Sequence, residues 1–114
     1  MTNTAILRSF HTAMERHDWP AKRALLHDDY RFDGPLMQTA GADQFIESVK
    51  QFNCQVTFKD VQIIEDGDTV MSFYTFDIVQ PFSGSFRMAE RVILRDGKLQ
   101  SSELIYDASA FPKM

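Results

Sequence analysis

The stretch QVTFKDVQIIEDGDTVMSFYTFDIVQPFSGSFRMAERVILRDGKLQSSELIYD, residues 55–107, decides the fold. It is rich in β-branched and aromatic residues and is divided by short turns, a pattern typical of β-strands. The Asp-Gly pairs at 66–67 and 96–97 suit tight hairpin turns, and strands joined so briefly must be antiparallel neighbours. The stretch therefore predicts an antiparallel meander of four strands: Gln55–Glu65, Thr69–Gln80, Ser85–Arg95 and Lys98–Asp107.

Helical patterns precede this meander. Apolar residues recur at helical spacing in two segments, and Asp18 and Pro20 suit the start of a short helix between them. The predicted elements are, in order, helix Thr4–His17, helix Ala21–Leu26, strand Tyr30–Asp33 and helix Ala42–Phe52. Helices followed by strands predict an α+β fold, with the N-terminal helices packed on a strongly curved antiparallel sheet. An internal pocket between the two layers is expected.

Length and composition narrow the class of protein. A chain of 114 residues needs one core, so residues 1–114 are predicted to form a single domain. Ten Phe residues exceed what a core of this size usually uses, and large rings also line apolar cavities. The net charge is −4 and the basic residues are scattered, which argues against nucleic acid as a partner.

Cysteine and histidine usage indicates neither a metal site nor a cofactor. Cys54 is the only cysteine and is predicted to be a buried structural thiol. His11, His17 and His27 lack metal-ligand spacing and are interpreted as surface or helix-end residues. The N-terminal stretch is too polar for a signal peptide, and no apolar run reaches membrane-spanning length. We expect a cytoplasmic protein without a membrane partner.

Glu90 breaks the pattern of the third long strand. Alternation places it on one face with Phe86, Met88, Val92 and Leu94, so a carboxylate interrupts an apolar stripe. If that face is interior, the carboxylate must be neutralised or paired, and such acids in clefts are functional candidates. The alternative is a structural ion pair with an arginine.

Asp33 is the second candidate acid. It follows Phe32 and precedes the Gly34-Pro35 turn, where a side chain can be aimed into a cleft. Aspartate is also a common turn residue before Gly-Pro, so a purely structural role stays open.

The order of these elements resembles the SnoaL-like members of the nuclear transport factor 2-like superfamily. The resemblance covers nearly the whole chain and rests on HDDYRFDGP (27–35), Gly41 before the third helix, and RDGKL (95–99) between the last strands. It implies a cystatin-like cone with an apolar pocket, commonly a homodimer. The superfamily includes steroid isomerases, polyketide cyclases, dehydratases and epoxide hydrolases, so the fold alone names no reaction.

Only some site positions of the superfamily's enzymes have a counterpart in this chain. Ketosteroid isomerases carry a tyrosine on the first helix where this chain has Phe10, and their general-base aspartate falls on Gly34, one residue after Asp33. Their neutral acid on the penultimate strand corresponds to Glu90, and an aromatic position on the final strand corresponds to Tyr106. Epoxide hydrolases of this fold need an arginine where Met88 stands.

Three functional hypotheses follow. As an enzyme, the chain would bind a small, mostly apolar carbonyl compound, and Asp33 or Glu90 would transfer a proton. The expected ligand-binding residues are Phe10, Met14, Phe32, Met88, Leu104 and Tyr106. As a binding module, the same pocket would hold the ligand without chemistry. A third hypothesis is a dimerisation or scaffold domain whose pocket is filled by its own Phe side chains.

Overall fold

Helices occupy the first half of the chain and long strands the second half in the computed structural model, which describes residues 1–111. The helices are α1 (Asn3–Arg16), α2 (Trp19–Ala24) and α3 (Ala42–Phe52). The strands are β1 (Leu26–Asp33), β2 (Gln38–Ala40), β3 (Gln55–Asp66), β4 (Thr69–Gln80), β5 (Gly84–Arg95) and β6 (Lys98–Ile105). A 3-10 helix, Ala108–Ala110, follows β6.

Capping residues fix the corner between α1 and α2. The Thr2 side chain accepts a hydrogen bond from the Ala5 N–H, and His17 ends α1 in the left-handed conformation with φ 53°. The Asp18 side chain then accepts from the Ala21 N–H and starts α2. The helix ends at Ala24, earlier than predicted, because the chain from Leu26 onward is already the first strand.

The sheet has the order β2-β1-β6-β5-β4-β3. Neighbours from β3 to β6 are antiparallel, as the turn sequences predicted. The expectation of a wholly antiparallel sheet is wrong, because β1 runs parallel to β6 and the sheet is mixed. The short strand β2, which pairs with β1, was not predicted.

A bulge bends β3 around the helices. Its register with β4 shifts between Lys59 and Gln62, and Asp60 there has a positive φ of 52°. The curved sheet presents a concave face to the three described helices, and the α+β prediction is confirmed. Cys54, directly before β3, is fully buried, as predicted. Within residues 1–111, no helix is both long enough and apolar enough to span a membrane.

Candidate functional site

A cavity of about 790 Å³ lies between the helices and the concave face of the sheet. Its walls are mainly apolar and aromatic, and its volume falls within the range of about 300–1,000 Å³ typical of small-molecule sites. The cavity is lined by all six residues that the sequence assigned to ligand binding, namely Phe10, Met14, Phe32, Met88, Leu104 and Tyr106. A second depression, at the β4–β5 turn, has no ionisable side chain among its described lining residues.

Glu90 and His11 form a buried pair in the cavity wall. His11 Nε2 lies 3.3 Å from Glu90 Oε1, and the two residues are only 6% and 4% exposed. Either the imidazole N–H donates to the carboxylate or a protonated Glu90 donates to the ring nitrogen. The pair is a unit that can hold or release one proton.

Alternation along β5 carries Glu90 inward. Phe86, Met88, Val92 and Leu94 are buried on the same face, so the sheet would have to lose its register to expose this carboxylate. On the neighbouring strands, the residues paired with Glu90 are Ser72 of β4 and Leu104 of β6.

Aromatic rings hold His11 in place. Its imidazole stacks on the Phe58 ring, with 4.1 Å between centroids, and meets the Tyr74 ring edge-on at 5.1 Å. The interpretation of His11 as a surface or helix-end residue is therefore wrong. The cause is its position on α1, where it lies four residues after Leu7 and three before Met14 on the buried face.

Two buried phenols stay protonated near the pair. Burial, and secondly the charge of Glu90, raise the pKa of Tyr74 and of Tyr30 well above the ordinary value. The Tyr30 hydroxyl donates to Ser102 Oγ at 2.7 Å. Tyr106 also lines the cavity, and partial burial raises its pKa. These phenols are hydrogen-bond donors at neutral pH.

Lys22 of α2 also lines the cavity. It is 3% exposed, and its Nζ lies 3.4 Å from the centroid of the Phe10 ring. Burial lowers the pKa of Lys22 to about 7, an effect that the nearby charge of Glu90 partly opposes. The cavity thus contains an amine, a carboxyl group and an imidazole.

Asp33 lies elsewhere. Its side chain is exposed, on the face of β1 opposite Phe32, and it is absent from the described cavity wall. Asp33 and Glu90 therefore do not converge in the cavity, because alternation along β1 turns Asp33 outward when Phe32 points inward. The partner that the structure gives to Glu90 is His11.

Comparison with known proteins identifies the family. The family model for the SnoaL-like domain matches residues 7–101, which is most of the chain. The chain belongs to the SnoaL-like domain family. No curated protein sequence is detectably similar to this SnoaL-like domain.

Solved structures share the fold at low sequence identity. A nuclear transport factor 2-like protein of unknown function from Cytophaga hutchinsonii is 16% identical, with TM-score 0.84 over 96% of this chain and 93% of that chain. A candidate polyketide cyclase from Xanthomonas campestris is 19% identical, with TM-score 0.85 over 93% and 90%. An epoxide hydrolase of the LEH-like type from M. tuberculosis is 18% identical, with TM-score 0.80 over 92% and 82%. The nuclear transport factor 2-like fold of the SnoaL-like domain is thereby confirmed.

Sequence reasoning missed the two basic residues of the SnoaL-like domain's described cavity wall, His11 and Lys22. The helical spacing of each residue from apolar neighbours indicates that it faces the interior. His11 shares the helical face of Leu7 and Met14, and Lys22 lies three residues after Trp19 and three before Leu25, both partly buried against the core. A polar residue on the apolar face of a helix indicates a buried polar group, just as Glu90 does on the apolar face of its strand.

Proposed function

We propose that this SnoaL-like domain binds a small, mostly apolar carbonyl compound in its cavity and transfers a proton on it. The observation that carries the proposal is the buried contact between His11 and Glu90 in a mainly apolar wall. Burial of an ionisable pair costs stability, and a carboxylate base beside a substrate is what proton abstraction requires.

Glu90 is the proposed base. Its carboxylate removes a proton from the carbon next to the carbonyl, and the His11 N–H, donating to Oε1, holds the carboxylate in place and stabilises its charge. The electron pair of the broken C–H bond moves to the carbonyl oxygen, which becomes an enolate. A protonated phenol, Tyr106, donates a hydrogen bond to that oxygen. Return of the proton to another carbon completes an isomerisation, and carbon–carbon bond formation completes a cyclisation.

Deuterium exchange tests this chemistry without knowledge of the natural substrate. The probes are cyclohexanone, cyclohex-2-enone and 1-indanone in D₂O, with incorporation beside the carbonyl followed by mass spectrometry. We expect the wild-type protein to accelerate exchange, and Glu90→Gln to reduce the rate by about a hundredfold or more, the range of general-base contributions. Asp33→Asn is the matched control, because it removes an exposed carboxylate from the same protein.

The alternative function is ligand binding without chemistry. Saturation-transfer NMR reports whether the same ketones occupy the cavity in each variant. If they bind equally to the wild type and to Glu90→Gln while both exchange at the buffer rate, the domain is a binding module and the proton-transfer proposal fails.

We further propose that the domain forms a homodimer through the outer face of the sheet. Phe73 and Ile105 are 42% and 62% exposed, and both lie opposite Ala89 of β5, forming one row across three strands. The Arg87 guanidinium lies 4.3 Å from the Phe73 ring centroid. Exposed apolar rows of this kind mark interaction surfaces.

The mass in solution tests the dimer. Sedimentation equilibrium of the wild type should give twice the chain mass of 13.1 kDa, and Phe73→Glu should give a monomer. A monomeric wild type at micromolar concentration would refute the dimer.

For the compartment we propose the cytoplasm, since proteins of oxidising compartments more often pair their cysteines, and Cys54 is the only cysteine in this sequence.

A further inference from the structure

Lys22 directs its amine into the cavity wall instead of toward water. Nζ lies over the Phe10 ring and 3.5 Å from the Phe10 carbonyl oxygen, a contact at the outer limit of a hydrogen bond. Among residues 1–111, no carboxylate forms an ion pair with this amine. Buried lysines ordinarily extend their charged end to water or pair it with an acid. Lys22 does neither.

Burial favours the neutral amine of Lys22. The faces of Phe10 and Phe45 lie within cation–π range of Nζ and attract an ammonium group, but they replace little of the hydration that it loses on burial. The described ionisable groups that share the cavity are His11, Tyr74, Glu90 and Tyr106. With its pKa lowered to about 7, Lys22 carries a free electron pair in a large fraction of molecules at neutral pH.

We propose that Lys22 is a covalent site for aldehydes and ketones, where it forms an imine with a small apolar carbonyl compound held in the cavity. This inference rests on the proposed function for the identity of the ligand class. The lone pair of Nζ attacks the carbonyl carbon, the C=O electron pair moves to the oxygen, and one proton passes from the nitrogen to that oxygen. The resulting carbinolamine then loses water, so that one amine and one carbonyl give one imine and one water.

Imine formation would make it easier for Glu90 to remove the proton from the adjacent carbon. Once the imine is protonated, its nitrogen accepts electrons more readily than a carbonyl oxygen does. When Glu90 removes a proton from the adjacent carbon, the C–H electron pair forms a C=C bond, and the C=N electrons become a lone pair on nitrogen. A desolvated lysine and a buried base in one cavity are the two groups that this route requires.

Reductive capture with benzaldehyde tests the site. Benzaldehyde has no hydrogen on the carbon beside its carbonyl, so its capture does not depend on proton removal by Glu90. The wild-type protein is incubated with benzaldehyde and cyanoborohydride at pH 7, and the benzylated residues are located by peptide mass spectrometry. Lys50, exposed on α3, is the internal reference.

The expected result is benzylation of Lys22 at least about tenfold faster than of Lys50, because an ordinary exposed lysine is about a thousandfold less deprotonated at pH 7. Lys22→Met should lose this adduct, whereas Lys50→Met should retain it. Equal labelling of both lysines, or labelling confined to the Met1 amine and exposed lysines, would overturn the inference. Mapping of the wild type alone distinguishes these results even if a variant fails to fold.

The experiments can refute either proposal without refuting the other. Capture at Lys22 without ketone exchange would leave the covalent site standing and refute proton transfer by Glu90. Exchange that depends on Glu90, with Lys22 unlabelled, would support the proposed function and refute the covalent site.

Discussion

Replacing Lys22 with methionine should make the protein more stable, and by an amount that depends on pH. Methionine has a similar length and carries no charge into the apolar wall formed by Phe10 and Phe45. The gain should be largest below pH 7, where the wild-type amine is protonated in both the folded and the unfolded chain.

The magnitude follows from the two pKa values of the amine. Burial lowers the pKa of Lys22 to about 7 in the folded protein, against 10.5 as the ordinary value. Between these pH values the unfolded chain binds one proton more than the folded chain, so wild-type stability rises with pH by 2.303RT, or about 1.4 kcal/mol, per pH unit. Over the whole interval the rise is on the order of 5 kcal/mol. Lys22→Met lacks this contribution.

Urea denaturation from pH 6 to pH 9, followed by the fluorescence of Trp19, measures the difference between the two proteins. The advantage of Lys22→Met should shrink by about 3 kcal/mol between pH 7 and pH 9. Other ionisable groups are common to both proteins and cancel to first approximation. Lys50→Met, a change at an exposed lysine, should show no such trend. An advantage that is equal at pH 6 and pH 9 would refute the lowered pKa and the burial of the amine.

Three further changes test the cavity and its supports. His11→Phe keeps a ring against Phe58 but removes the nitrogen that faces Glu90; ketone exchange should fall by about tenfold or more, with benzaldehyde capture at Lys22 retained. Leu104→Trp should fill the cavity, at a cost in stability of about 1–3 kcal/mol, and should abolish the ketone signals in saturation-transfer NMR. Tyr30→Phe removes the hydroxyl that donates to Ser102 and should lower the free energy of unfolding by about 1–2 kcal/mol in urea titrations, without changing ketone exchange.

Local patterns predicted much of this fold because their causes are local. The Asp-Gly turns fix the β3–β4 hairpin and the β5–β6 hairpin. Alternation along β5 placed Glu90 on the same face as its apolar neighbours, which is the buried face. The parallel contact of β1 with β6 has no local cause. It joins Leu26 to Leu99, and the register between these strands also shifts before Arg31. Nothing in either segment alone specifies its partner.

The candidate site was predicted only in part for a related reason. Apolar residues at regular spacing identified the wall, but the partner considered for Glu90 was an arginine. The structure supplies the partner from α1, where His11 contacts Glu90 of β5 from a position 79 residues earlier in the chain. Asp33 illustrates the converse, since the alternation that directs Phe32 inward directs the carboxylate outward.

The parallel pairing of β1 with β6 also bears on how the molecule reaches its folded state. The hairpins from β3 to β6 connect neighbouring segments and can form early, whereas β1 must wait for a strand that ends at Ile105. Contacts between residues so distant in the chain slow folding, because the intervening loop must be ordered before they form. During synthesis, therefore, the wall contributed by β1 can close over the sheet only after β6, which ends at Ile105, has left the ribosome.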